Sequence, residues 1–269
     1  MRSGREFRTP NDPSITVRGN KWFDHSKREG GYAISFVQRY YRLPYPEAVL
    51  LLLGRKDGRA LEQAKPAATE PKSFALPQPY SNMRRVYAYL LHKRHIEREV
   101  VSYFTHEKLL YEDEHHNCVF VGRDESGQAK YAGLRGTYDL NGPGFKGDAP
   151  GSDKNTCFSL PHDPRSDLVL VFEAPIDLMS YLTLHRDTTN AVALCGLYDG
   201  ALQTYLQAHP EIRSIALCLD ADEPGQKAAQ QLQEKYQLQG YAVTVEKPRC
   251  GKDWNEYLQR KICSRERGR

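Results

Sequence analysis

No cysteine occurs before Cys118, and the six in the chain (Cys118, Cys157, Cys195, Cys218, Cys250 and Cys263) show no C-x-x-C spacing. That pattern speaks against a cysteine-ligated zinc ribbon at the amino end and against a disulfide framework. Scattered thiols, several of them in apolar runs, fit buried free cysteines in a reducing cytoplasm. A long apolar run is also missing: none approaches the roughly 18 residues needed to cross a bilayer. The opening MRSGREFRTP lacks the apolar core of a secretory signal. The expectation is a cytoplasmic protein with no membrane partner.

What is present is an uneven charge distribution. The net charge is only +4 over 269 residues, yet residues 1–60 carry 12 Lys/Arg against 6 Asp/Glu. Residues 61–165 balance at 14 against 14, and residues 166–269 carry 12 against 14. A basic front and an acidic back suit an anionic polymer held by one part and processed by another.

Pattern divides the chain into four expected segments. Residues 1–55 read as a small module: SITVRGNKWFDHS turns at Gly19-Asn20 as a hairpin, then GGYAISFVQRYY and PYPEAVLLLLG read as helices. Residues 56–81, rich in Pro, Ala and mixed charge, read as a linker. Residues 82–165 begin with a helix presenting Val86, Tyr89 and Leu90, continue through two or three strands with a turn at DESGQ, and end in a Gly/Pro/Asp-rich loop over 139–164. From residue 166 to 262 strands and helices alternate: LVLVFE, PIDLMSYLTLH, NAVALCG, GALQTYLQAHP, SIALCLDAD, GQKAAQQLQEKYQLQG and AVTVEKP. This rhythm predicts an α/β domain built on a parallel sheet covered on both faces.

The chemistry concentrates in ALCLDADEPGQKAA, residues 216–229. Asp220 and Asp222 are spaced two apart at a strand's carboxyl end, so they point to the same side, into the crevice where open α/β sheets bind ligands. Two carboxylates held that close repel, and a hard divalent cation such as Mg²⁺ or Mn²⁺ is a natural compensation. Glu173 ends the first strand of the unit and Gly196 follows the second. All these strand ends can converge on one crevice.

On these residues the segment resembles the Toprim domain shared by DnaG-type bacterial primases, topoisomerases and some nucleases. VFEAPIDLMS is similar to the part carrying the motif glutamate, here Glu173, with Asp177 four residues on; LCLDADEPGQKAA is similar to the Asp-x-Asp part, Asp220 and Asp222. GKDWNEYL is similar to the Lys-Asp segment after the sheet, offering Lys252 to the substrate and Asp253 as a further carboxylate. The preceding YLLHKRHI…VVSYF, CVFVGRDESGQAKYAGLRG and GSDKNTCFSL resemble the primase core lobe, which implies that Arg135 and Lys154 face nucleotide phosphates or template. The resemblance implies a Rossmann-like Toprim domain after a primase-core-like α+β lobe.

Residues 1–55 resemble the zinc-ribbon module of primases, but without its ligands. His25 alone cannot hold zinc, since a structural site takes about four ligands. No zinc is expected, and packing of Trp22, Phe23, Phe36 and Val37 is expected to hold the module instead. The arrangement is similar to Toprim proteins of plasmids and integrative elements, and implies a form shortened at its start.

The expected function is a primase-like nucleotidyltransferase acting on single-stranded DNA with nucleoside triphosphates, using Glu173, Asp220 and Asp222 with one or two Mg²⁺ ions. A helicase or relaxase of the mobile element is the expected partner. A Toprim nuclease and a non-catalytic DNA-binding accessory protein are the alternatives. His115 and His116, after the acidic YED, read as a solvated turn and not a metal site. Of Tyr40, Tyr41 and Tyr45, beside Arg39 and Arg42, at least one is expected in the core. The terminal KICSRERGR reads as a frayed basic tail.

Overall fold

The computed structural model describes residues 2–3, 6–9, 12–26, 29–53, 73–138, 144–156, 158–186 and 188–267. The chain divides into two compact units, Met1–Glu70 and Pro71–Arg269. Most of the expected linker, residues 56–72, lies outside the described residues.

In the first unit, β1 (Arg2–Ser3), β2 (Glu6–Thr9), β3 (Asp12–Arg18), β4 (Lys21–Asp24) and β5 (Glu29–Tyr32) form an antiparallel sheet in sequential order. Gly19 takes φ +60° in the β3–β4 turn, a conformation that favours glycine. Two helices follow, α1 (Ala33–Tyr41) and α2 (Tyr45–Leu52), the latter with a proline in its first turn where no amide hydrogen is missed. Trp22 is buried with its ring 5.7 Å from Phe36 and 5.5 Å from Tyr40, and Val37 and Ile15 are buried with it.

One expected core residue is corrected. Phe23 is 41% exposed, because neighbouring residues of a strand face opposite sides and Trp22 and Asp24 take the inward positions. The wholly buried Asp24 carboxylate instead accepts hydrogen bonds from the Ser26 amide (2.9 Å), the Ser26 hydroxyl (2.7 Å) and the Tyr40 hydroxyl (3.0 Å). It thereby ties the hairpin to α1. His25 is engaged with Thr16 Oγ1 at 3.1 Å.

The second unit opens with α3 (Arg84–Ala88), which runs into a π-helical turn at Tyr89–Lys93, and α4 (Arg98–His106). Strands β6 (Leu110–Glu112), β7 (Asn117–Arg123), β8 (Ala129–Gly136) and β9 (Lys146–Asp148) make an antiparallel sheet in sequential order. β9 corrects the expectation of a continuous loop over 139–164: three residues pair with β8, Arg135 opposite Lys146. A strand that short, flanked by Gly and Pro, leaves no alternation to read.

The remaining elements are β10 (Leu168–Phe172), α5 (Pro175–Leu184), β11 (Asn190–Ala193), α6 (Gly200–Ala208), β12 (Ser214–Cys218), α7 (Glu223–Leu238), β13 (Ala242–Val245) and α8 (Trp254–Arg267). The four strands are all parallel, in the order β11-β10-β12-β13. Along β10, Val169 and Val171 pack with Leu202 and Tyr236 of α6 and α7 on one face; Leu170 and Phe172 pack on the other with α5, α8 and the lobe's Phe104 and Phe158. Both faces are covered, which is why this strand is apolar at every position. The fold is thus a Rossmann-like parallel domain preceded by an α+β lobe that shares its core, together with a small β-rich amino-terminal module.

Candidate active site

The sheet order places the site. β10 connects through α5 to β11 on one side, whereas β12 connects through α7 to β13 on the other, so β10 and β12 flank a topological switch point. They pair with Phe172 beside Cys218. Glu173 therefore leaves its strand next to the strand end that leads into Asp220.

A cavity of about 210 Å³ lies at these ends, and Glu173, Asp177, Asp220 and Asp253 all line it. Asp177 sits in the first turn of α5 and is buried. Its burial, with the charges of Asp253 and Asp220, holds its carboxyl well above the usual range. Asp220 is pushed up to about 7 by burial and then by Glu173, Asp253 and Asp222. Glu173 is raised by burial and then by Asp222. Asp220 Oδ1 is buried without a hydrogen-bond partner. An orphaned carboxylate oxygen among mutually repelling acids fits a bound divalent cation, and an all-oxygen set suits a hard ion.

Asp222 differs from Asp220. Its Oδ1 accepts the Gly225 amide at 2.9 Å and so caps α7, while its charge reaches Glu173 and Asp220. Gly225 is needed here for close approach: a Cβ at this position would lie 2.4 Å from the Asp220 carbonyl oxygen. Asp253 Oδ1 in turn accepts the Glu256 amide at 2.7 Å at the start of α8.

Cations line the same cavity: Arg94, Arg135, Lys146 and Lys252, the last paired with Asp253 at 3.7 Å. Arg94 and Arg135 both donate to the Tyr89 hydroxyl, at 2.9 and 3.3 Å. Arg94 also reaches Asn255 Oδ1 at 3.1 Å. Asn255 is a junction, donating its side-chain amide to the Arg94 carbonyl (2.8 Å) and Ser180 Oγ (2.9 Å), and its backbone amide to Asp177 (3.2 Å). It locks the lobe, α5 and α8 together behind the carboxylates.

Of the residues expected from sequence, Glu173, Asp177, Asp220, Asp253, Arg135 and Lys252 come together at this cavity, with Asp222 at its edge through charge. Lys154 does not line it and instead pairs with Asp148 at 3.0 Å; Asp148 does line it. Sequence reasoning missed Arg94, Lys146 and Asn255. Lys146 was hidden because β9 was read as loop, although its pairing with Arg135 brings two cations to one edge. His116 bonds the buried Glu112 at 2.6 Å, which corrects the expected solvated turn: its acids Glu112 and Asp113 are buried.

Elsewhere, one cluster among the described residues has the donors to coordinate a divalent metal: His162, His209 and Glu211. No helix of the described residues is long and apolar enough to cross a membrane.

Residues 170–258 match a family described as Toprim-like, and residues 88–164 match a family described as a protein of unknown function (DUF3991). An uncharacterized protein of Bacillus anthracis, pXO2-78, is 26% identical over 96% of this chain and 82% of its own length. Among solved structures, the zinc-binding and RNA polymerase domains of the Aquifex aeolicus primase align over 99% of this chain and 78% of that one, with 19% identity and a TM-score of 0.47. The primase fragment of the bacteriophage T7 primase-helicase aligns over 94% and 93%, with 15% identity and a TM-score of 0.45. The family likeness therefore lies in residues 170–258, which carry the Toprim-like match.

Proposed function

We propose that this chain is a primase-like nucleotidyltransferase, building short oligonucleotides on single-stranded DNA during replication or transfer of a mobile element. The observation that carries the reading is the mixed lining of one cavity, in which the acids at the β10 and β12 ends share the space with Arg94, Arg135, Lys146 and Lys252. A nucleoside triphosphate needs both: cations for its phosphates, and carboxylates that hold a divalent ion beside them.

Glu173, Asp220 and Asp222 are the proposed holders of Mg²⁺ or Mn²⁺, with Asp177 and Asp253 behind them. When bound, the ion would neutralise charge on the attacking and leaving oxygens. The chain's own residues do the rest. Glu173, half-buried and raised, accepts the proton of an attacking 3′-hydroxyl. Arg135 and Arg94, fixed on Tyr89, orient phosphate oxygens, and Lys252 and Lys146 balance the negative charge. Lys154 is proposed at the approach to the cavity, through its pairing with Asp148. A helicase or relaxase of the same element is the proposed partner.

The first unit supports a template role. A groove of about 620 Å³ on its sheet is lined by Arg18, Lys21, Phe23, His25 and Tyr32, combining cations with rings that bases can stack on. Phe23 and Tyr32 are exposed, at 41% and 58%.

Incubation of the protein with a single-stranded template and labelled ribo- or deoxynucleotides tests the reading. Metal-dependent appearance of labelled oligomers supports it. Template cleavage without incorporation would replace it with a Toprim nuclease, and neither product would leave a DNA-binding accessory protein.

A further inference from the structure

Outside the carboxylate cavity, the segment after Ser159 and the turn joining α6 to β12 carry three metal-ligating side chains toward one point. Ser159 bridges to Val192, which fixes this segment on the edge of the parallel sheet and brings His162 over the end of α6. His209 caps that helix and Glu211 follows two residues later. The His162 and His209 rings stack at 3.7 Å between centroids with a 14° tilt. One donor atom from each of the two histidines and from Glu211 lies within 4.8 Å of the others.

His162 has a neighbour at each ring nitrogen, Glu211 at one and Tyr205 at the other. His162 Nε2 touches Glu211 Oε1, and His209 Nδ1 lies 3.9 Å from the same oxygen. Yet Nε2 is buried and makes no hydrogen bond of acceptable direction. The other ring nitrogen, Nδ1, lies 3.1 Å from the Tyr205 hydroxyl. In the tautomer that donates Nδ1–H to Tyr205, Nε2 turns its lone pair to a carboxylate oxygen. Such a contact is resolved by a shared proton or by a shared cation, and a ligating histidine held through its other nitrogen is the usual outer support of a metal site.

We propose that His162, His209 and Glu211 form a binding site for a zinc-class divalent ion, separate from the carboxylate cavity. Two imidazoles and one carboxylate suit Zn²⁺ far better than Mg²⁺, which takes oxygen ligands. Ligand distances of about 2.0–2.2 Å require one of the stacked rings to turn out of parallel, so that both in-plane lone pairs meet the ion, and would separate Nε2 from Oε1. Three protein ligands leave a fourth position, and His162 and His209 also line a groove of about 750 Å³ from which water or an anionic group can enter. None of the three lines the carboxylate cavity. The site lies far along the chain from the ribbon-like module, for which sequence argues against zinc.

The test is titration of the full-length protein with zinc chloride alone, followed by calorimetry and by thermal melts. One zinc per chain is expected to bind the wild type and raise its Tm. His209→Ala and Glu211→Gln should lose this binding while melting normally without metal and keeping any Mg²⁺-induced shift. Tyr205→Phe, which removes only the outer partner of His162, should weaken binding about tenfold or more. Absence of zinc binding in the wild type overturns the proposal. So does equal binding in wild type and the His209→Ala/Glu211→Gln double variant, which would place the ion elsewhere, for example on the exposed Cys250.

Discussion

Asp222 Oδ1 accepts the backbone amide of Gly225 at 2.9 Å, so the second carboxylate of the Asp-x-Asp pair is a helix cap as well as a charge at the site. Asp220, two residues earlier, has no such duty and keeps Oδ1 buried without a partner. A cap and a cation ligand make different demands, and substitutions at the two positions separate them. Asp222→Asn retains a capping oxygen and should leave metal-free stability almost unchanged; Asp222→Ala should cost about 1 kcal/mol. Chemical denaturation in EDTA reads this difference, and equal losses in the two variants would contradict the capping role.

The pH dependence of stability follows from Asp220. Its folded value, about 7, stands above the ordinary aspartate value of 3.8, so the folded protein binds more protons than the unfolded chain between these limits. The stabilising contribution is complete below about pH 4 and is lost as pH rises through 7. Asp177, raised by burial first, acts in the same direction. Metal-free melts between pH 5 and 8 should fall more steeply for the wild type than for Asp220→Asn. Parallel curves would show that Asp220 titrates as an ordinary surface acid.

Gly225 is a steric requirement. A Cβ there would stand 2.4 Å from a backbone oxygen, which cannot swing aside as a flexible side chain could. Gly225→Ala should therefore destabilise by about 1–3 kcal/mol, despite alanine's better helix propensity. A neutral or stabilising result by urea denaturation would mean that the β12–α7 turn adjusts freely.

In the first unit, exposed rings and cations should contribute to DNA binding in different ways. Lys21→Ala should reduce the slope of log K against log salt for single-stranded DNA by about 0.7, the loss of one phosphate contact. Phe23→Ala should weaken binding by about 1–3 kcal/mol and leave the slope alone, as loss of one stacked base would. Unchanged binding in both variants would move the template surface to the second unit.

The parallel sheet was legible because β10 is apolar at every position, β12 at all but Ser214, and each is followed by a helical pattern. Their carboxylates were legible for the same reason: a strand end fixes where the next side chain goes. β9 and Lys146 were not legible, since three residues with a glycine in the middle carry no period and only their pairing to β8 makes them a strand. Phe23 was misread as core because composition shows a cluster of aromatics, whereas alternation along β4 decides which of them face inward. Asn255 carries no signal of its own in GKDWNEYL, where Lys252 and Asp253 drew the attention. Its importance comes from partners at Arg94, Asp177 and Ser180, which lie far away in sequence.

The central claim is that the carboxylates at the ends of β10 and β12 form a cation site for phosphoryl transfer. Its most direct test is the Mg²⁺-induced thermal shift of the wild type against Asp220→Asn and Glu173→Gln at pH 7.5. At Mg²⁺ about 100 times Kd, mass action stabilises a single site by about 2.7 kcal/mol. The account predicts a saturable shift of that order in the wild type, nearly abolished in Asp220→Asn and reduced in Glu173→Gln. Equal shifts in all three proteins would contradict it.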